Sequence, residues 1–174
     1  MSRAFVKDSD EDAVAGDVPE RPVPAHPNYV TARGLAQLQA RERDLAARHE
    51  QLKSVAEDDS SAKHKLREVD RDLRYFRAQL ERAELVGTAA GLGDEVRFGA
   101  EVVIEDDAGA QQRYRIVGDD EADAAAGDIS WASPLARALI GARVGEVVTW
   151  RRPAGSVEIE VTGIRYDLAA VVKG

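Results

Sequence analysis

The sequence predicts an α+β chain in which an N-terminal antiparallel helical hairpin precedes a small antiparallel β domain with one short helix. Three observations predict it. Leucines recur at seven-residue steps at Leu38, Leu45 and Leu52, and a second seam follows at Leu66, Val69, Leu73, Phe76, Leu80 and Ala83 in alternating steps of three and four. After a Gly/Ala-rich stretch at 87–93 the apolar period falls to two. Hydrophobic residues make up 44% and charged residues 32%, but aromatics only 5%, a mixture that suits a long solvated helical element beside a small core.

Residues 1–27 are acidic and carry Pro19, Pro22, Pro24 and Pro27. Each proline removes a donor and drives the preceding residue to extended geometry, so this stretch reads as a disordered or extended tail. Ala4-Phe5-Val6 offers at most a short docked strand. The arm is expected over 28–86. Thr31 is a plausible N-cap for the first helix, which carries Leu35 and Val55 beside its seam and the polar residues Glu42 and His49 at the alternate seam positions. The second helix is expected from about 61 to 84. The polar connector Ala56-Glu57-Asp58-Asp59-Ser60-Ser61 joins them, and helices of similar length joined so briefly pack antiparallel, in a hairpin roughly 35–40 Å long at 1.5 Å rise per residue.

Beyond the 87–93 linker, a domain is expected over 94–167, with a short tail at 168–174. Glu101–Glu105 and Arg113–Val117 read as paired strands across the turn Asp107-Ala108-Gly109. Glu146–Trp150 and Val157–Val161 read as a second pair across Pro153-Ala154-Gly155, with a bulge near Gly163. Ser133 as N-cap, Pro134 at N1 and Gly141 at C′ bracket one short helix.

Composition excludes several functions. There is no cysteine, so no disulfide framework and no Cys-ligated metal site is possible, which fits a reducing compartment. No apolar run reaches 18 residues, and the opening Met-Ser-Arg-Ala-Phe-Val-Lys-Asp-Ser-Asp has no apolar core of a signal peptide, so a cytoplasmic location without membrane contact is expected. The net charge of −8 argues against nucleic-acid binding through a generally basic surface. No phosphate-binding loop follows Gly91 and Gly93, and no nucleophilic triad is suggested. His26, His49 and His64 lack metal-ligand spacing and are expected to be ordinary surface residues.

Two constellations remain. Glu57, Asp58 and Asp59 sit midway through the hairpin and so lie at its distal tip. Without them the segment 31–84 holds 12 basic and 8 acidic groups, a mildly basic shaft with an anionic end. Such an end could present oxygen ligands to Mg²⁺, and it could equally be a solvated turn. Arg67, Arg71 and Arg74 share one face of the second helix at spacings of four and three. They could meet phosphates, or pair with Glu68, Asp70 and Asp72 on that face.

Several motifs occur in an order that resembles the bacterial Gre transcript-cleavage factors. They are Phe98-Gly99-Ala100, Ile116-Val117-Gly118-Asp119-Asp120-Glu121-Ala122-Asp123, Ile129-Ser130, the run from Ser133-Pro134 to Gly141, Val144-Gly145-Glu146, Pro153-Ala154-Gly155 and Ile164-Arg165-Tyr166. Lys65 to Phe76 resembles the second arm helix of the GreB branch, and Tyr29-Val30-Thr31 with Gly34-Leu35 resembles the arm entry. The resemblance spans about residues 28–166. It implies a coiled-coil arm on an FKBP-like domain, in a monomer that binds the rim of the secondary channel of RNA polymerase. Ser133, Pro134 and Arg137 would belong to the docking surface, with Ala132 standing where some relatives carry an acidic residue. The arm would enter the channel near the nascent RNA. Tip carboxylates would share the polymerase active-site Mg²⁺, with no cofactor of the factor's own and no independent enzymatic activity.

The tip departs from that family. The usual Gly-Asp followed by Ser-Glu-Asn-Ala is missing, and the stretch from Thr31 to Lys65 is shorter by about a dozen residues, or roughly 9 Å per helix. Glu57, Asp58 and Asp59 supply similar charge without the same motif. Two other readings stand beside this one. A peptidyl-prolyl isomerase of FKBP-like fold would need an aromatic-lined pocket, for which Phe98, Tyr114, Trp131, Trp150 and Tyr166 are the candidates. A coiled-coil adaptor would need no polymerase contact.

Overall fold

The computed structural model describes residues 18–87 and 94–167. The expectations for Ala4-Phe5-Val6, for most of the 87–93 linker and for the 168–174 tail lie outside the described residues. Strand β1 (Asn28–Val30) leads into helix α1 (Ala32–Lys53), and helix α2 (Ser60–Glu81) returns to strand β2 (Ala83–Leu85). Then come β3 (Ala100–Asp106), β4 (Gln111–Val117), β5 (Asp128–Ser130), helix α3 (Pro134–Leu139), β6 (Val147–Arg152) and β7 (Gly155–Tyr166).

The arm forms because both helices present one apolar stripe. Each has 22 residues, about 33 Å at 1.5 Å per residue. Leu38, Leu45, Val69, Leu73 and Phe76 are buried in the seam, with Leu35, Leu52 and Leu80 half-buried beside them. The two polar residues at the weaker seam positions are matched across it. Arg77 Nε donates to Glu42 Oε1 at 2.9 Å, and His49 Nε2 lies 3.0 Å from Asp70 Oδ1. His49 is thus a half-buried helix-to-helix contact rather than the plain surface residue expected.

The second helix is shorter than its apolar period suggests. It ends at Glu81, and Ala83–Leu85 pairs in parallel with Asn28–Val30. The chain entering the arm supplies a partner backbone where the helix would otherwise continue. Tyr75 and Gln79 are buried although neither belongs to the seam. Both side chains donate to Asp120 of the β domain.

The domain is a five-stranded sheet in the order β5-β4-β3-β7-β6. The expected hairpins β3–β4 and β6–β7 are both present, and β7 also pairs antiparallel with β3. The register shifts between Val103 and Ile104, which leaves Thr162, next to Gly163, as the extra residue of a bulge. One pairing is not antiparallel: the three-residue β5 runs parallel to β4 at the sheet edge. Alternate residues of the central strands, with Leu135, Ala136 and Leu139 of α3, form the core. Ser133 caps α3 by accepting from Ala136 N at 3.2 Å, and Gly141 follows the helix at φ +91°.

Candidate functional site

The arm meets the domain on the 3-10 turn Asp119–Glu121, and each of its three acids holds a different part of the junction. Glu121 is the innermost, with a side chain only 2% exposed. Its Oε2 accepts from Thr31 Oγ1 at 2.6 Å, and its Oε1 accepts from Arg33 Nε at 2.6 Å. Arg33 reaches on to Asp128 Oδ2 at 2.6 Å, so one guanidinium bridges two carboxylates. Those bonds, Glu121 first, raise the arginine above its ordinary range. Asp120 accepts from Tyr75 Oη at 2.9 Å and from Gln79 Nε2 at 2.7 Å. Burial, then the Asp120 bond, pushes the Tyr75 hydroxyl up to about 12, so it stays a neutral donor. Asp119 accepts from Ser130 and lies 3.3 Å from His26 Nε2.

Two glycines permit this approach. A Cβ on Gly34 would lie 2.5 Å from Glu121 Oε2, and one on Gly118 would lie 2.5 Å from the Tyr29 carbonyl oxygen. Gly118 has an ordinary φ of −70°, so its constraint is the neighbour and not the backbone. Gly118→Ala is expected to destabilise the chain by about 1–3 kcal/mol, because a backbone carbonyl cannot yield as a side-chain end can. Thermal unfolding checks this, and an unchanged midpoint would contradict the packing described.

At the far end of the arm, Glu57, Asp58 and Asp59 are all exposed. They lie at the tip as their position requires, but they are not equivalent. Asp59 is the N-cap of α2, its Oδ1 accepting from Ser61 N at 2.8 Å. The signal was an Asp immediately before Ser-Ser at a helix start. Among the described residues no group of three or more His, Cys, Asp or Glu could hold a metal ion.

The three arginines of α2 divide between partners. Arg71 Nη2 donates to its sequence neighbour Asp72 Oδ1 at 2.8 Å. Arg74 donates to Glu20, a partner 54 residues away that the helix pattern cannot reveal. This bond, more than charge alone, holds the Glu20 carboxyl below its usual range. Arg67, exposed, lines a shallow hollow of about 120 Å³ with Glu20, Asp70 and Arg74. The basic face is largely neutralised within the chain. Residues 18–27 have no helix or strand, as prolines dictate, but Glu20 and Arg21 are held against α2, and His26 is held against the β domain, rather than loose.

Ser133 and Pro134 open α3, and Arg137 lies in its last turn. Pro134 and Arg137 are exposed, while Leu135 and Ala136 between them anchor the helix in the core. The cap thus makes a rigid outward-facing corner.

The rings that an isomerase would gather do not converge. Phe98 and Trp131 both pack on Tyr29, at centroid distances of 6.2 and 4.8 Å, within the arm junction. Tyr166 turns inward, its hydroxyl donating to the Glu95 carbonyl at 2.6 Å. Trp150 alone of the five lines the hollow of about 60 Å³ on the sheet, beside Asp106 and Arg152. That volume is well below the few hundred Å³ of an ordinary ligand pocket. No described helix is long and apolar enough to cross a membrane.

A family model described as "Transcription elongation factor, GreA/GreB, C-term" matches residues 91–166. The chain is 45% identical over 107 residues to transcription elongation factor GreB of Pseudomonas aeruginosa, covering 62% of this chain and 64% of that one. It is 35% identical over 151 residues to transcription elongation factor GreA of Rhodospirillum rubrum, covering 79% of this chain and 96% of the relative. A solved structure of Thermus aquaticus Gfh1 is similar at 26% identity with a TM-score of 0.39, covering 81% of this chain and 99% of that one. The chain spans about 64% of the length of the GreB relatives it matches. A hairpin arm latched to a sheet domain, aligned over nearly the full length of a GreA relative, places this chain in the GreA/GreB transcription elongation factor family.

Proposed function

We propose that this chain docks on RNA polymerase at the rim of its secondary channel and modulates paused or backtracked complexes from there. The observation that carries the reading is the capped corner of α3. Ser133 fixes the helix start, and Pro134 and Arg137 project from a core-anchored turn. Such a corner binds without first having to be ordered, which lowers the entropic cost of association. The factor acts on the polymerase and is not an enzyme itself.

The arm enters the channel with its anionic tip foremost, but it delivers carboxylates poorly. Asp59 is engaged as a helix cap, and the arm is shorter than the family's by roughly 9 Å per helix. Chemistry that depends on positioned groups is sensitive to displacements near 1 Å. The chain therefore occupies the channel, stimulates transcript cleavage weakly at most, and competes with relatives that stimulate it strongly.

Docking is tested with Pro134→Glu. A proline at N1 tolerates replacement by an acidic residue, which the helix N-terminus accommodates, so the domain should fold. Binding to purified polymerase is expected to weaken by at least tenfold with an unchanged melting temperature. Unaltered affinity in the folded variant would remove the corner from the interface.

A further inference from the structure

We propose that residues 18–27 are a strut that fixes the angle of the arm on the β domain. The segment is anchored at both ends on different parts of the molecule. At the arm end the Arg21 guanidinium lies over the Tyr75 ring, 3.8 Å from its centroid, and 3.7 Å from Asp72 Oδ1. Its neighbour Glu20 accepts from Arg74. At the domain end the His26 ring meets Trp131 edge-on at 5.2 Å and lies 3.3 Å from Asp119. Arg82 Nη2 donates to the His26 carbonyl at 2.5 Å, where the second helix gives way to strand.

The composition suits a strut. Pro19, Pro22, Pro24 and Pro27 preset extended geometry, so docking the segment removes less conformational freedom than docking an ordinary chain. From Glu20 to His26 an extended chain reaches roughly 20 Å.

The junction needs such a second support. The arm's hydrogen bonds to the domain cluster on the 3-10 turn, through Asp120 and Glu121, and on nearby Asp128, with Tyr29 packed on Phe98 and Trp131 at the arm's base. Bonds clustered around one turn fix a position well but resist rotation about that point poorly, because their lever arms are short. Asp72 lies seven residues before Gln79 on the same helix, an offset of about 10 Å along its axis. An anchor there opposes rotation that the turn alone would allow. Tyr75 joins the two supports: its ring carries Arg21 and its hydroxyl donates to Asp120. For an arm about 33 Å long, a few degrees at the base displace the tip by ångströms.

The chain contains no cysteine, so a distance across it can be measured without background labels. Lys53→Cys at the end of α1 and Ser156→Cys in the domain hairpin, spin-labelled in the full chain, report the arm's angle by pulsed dipolar spectroscopy. The intact chain is expected to give one narrow distance distribution. Adding Glu20→Gln with Arg21→Ala should widen it at least twofold, with circular dichroism showing the arm and the sheet still folded. Pro22→Gly with Pro24→Gly, which keeps the anchors and softens the span, should widen it by less. A Glu20/Arg21 variant whose distribution superimposes on that of the intact chain would overturn the strut, and so would an intact chain that already samples a broad range of angles.

Discussion

Replacing Glu121 by alanine is expected to destabilise the protein by about 3 kcal/mol and to loosen the arm's attachment to the domain. Removing one partner of a buried ion pair typically costs about 3–5 kcal/mol, because the remaining charge is left uncompensated. Here the lower end applies: Arg33 is 46% exposed on its side chain and keeps its bond to Asp128. The Thr31 hydroxyl also loses its acceptor, although it still caps α1 by accepting from Gly34 N at 2.9 Å. Glu121→Gln retains the shape and one acceptor oxygen, so its cost should be smaller by at least about 1 kcal/mol. Denaturant unfolding of the two variants separates charge from packing. Equal small losses for both would mean that the turn is a passive linker.

Phe76→Ala is expected to cost a similar amount through a different mechanism. Phe76 is 8% exposed, packed in the seam and edge-on to Tyr75 at 5.2 Å. A fully enclosed phenylalanine loses about 3–5 kcal/mol on truncation. A seam between only two helices can collapse partly around the gap, which places the expected loss near 3 kcal/mol, with reduced helicity of the arm. A loss under about 0.5 kcal/mol, typical of surface substitutions, would show that the seam does not hold the hairpin together.

The elements that the sequence made legible are those set by local rules. Thr31 and Ser133 cap helices as their chemistry dictates, and the heptad leucines face one another as their spacing requires. The alternating strands and their turns follow in the same way. What the sequence concealed depends on partners far along the chain. The parallel pairing of Asn28–Val30 with Ala83–Leu85 involves strands of three residues, too short for alternation to register, and Ala83 fitted the helical seam equally well. Tyr75 and Gln79 lie outside the seam pattern because a second surface buries them. Glu121 reads as one acid among several until the fold brings Thr31 and Arg33 to it across about ninety residues. Of the candidate site, the positions of the tip and of the α3 corner were readable. The cap by Asp59 was signalled only by an Asp standing before Ser-Ser, and the engagement of Arg74 by Glu20 was not readable at all.

On the proposed function, this family member occupies the polymerase channel without restoring the family's cleavage chemistry. The most direct measurement is transcript cleavage in a stalled, backtracked elongation complex, with and without a GreA or GreB factor that cleaves efficiently. Added alone, the chain should stimulate cleavage weakly or not at all. Added with the active factor, it should lower the cleavage rate in proportion to its concentration. Replacing Glu57, Asp58 and Asp59 with Gln, Asn and Asn should leave that competition largely intact if the proposed docking through the α3 corner holds. Robust Mg²⁺-dependent cleavage by the unmodified chain, abolished by the triple replacement, would contradict the claim and make the tip a working substitute for the family's motif.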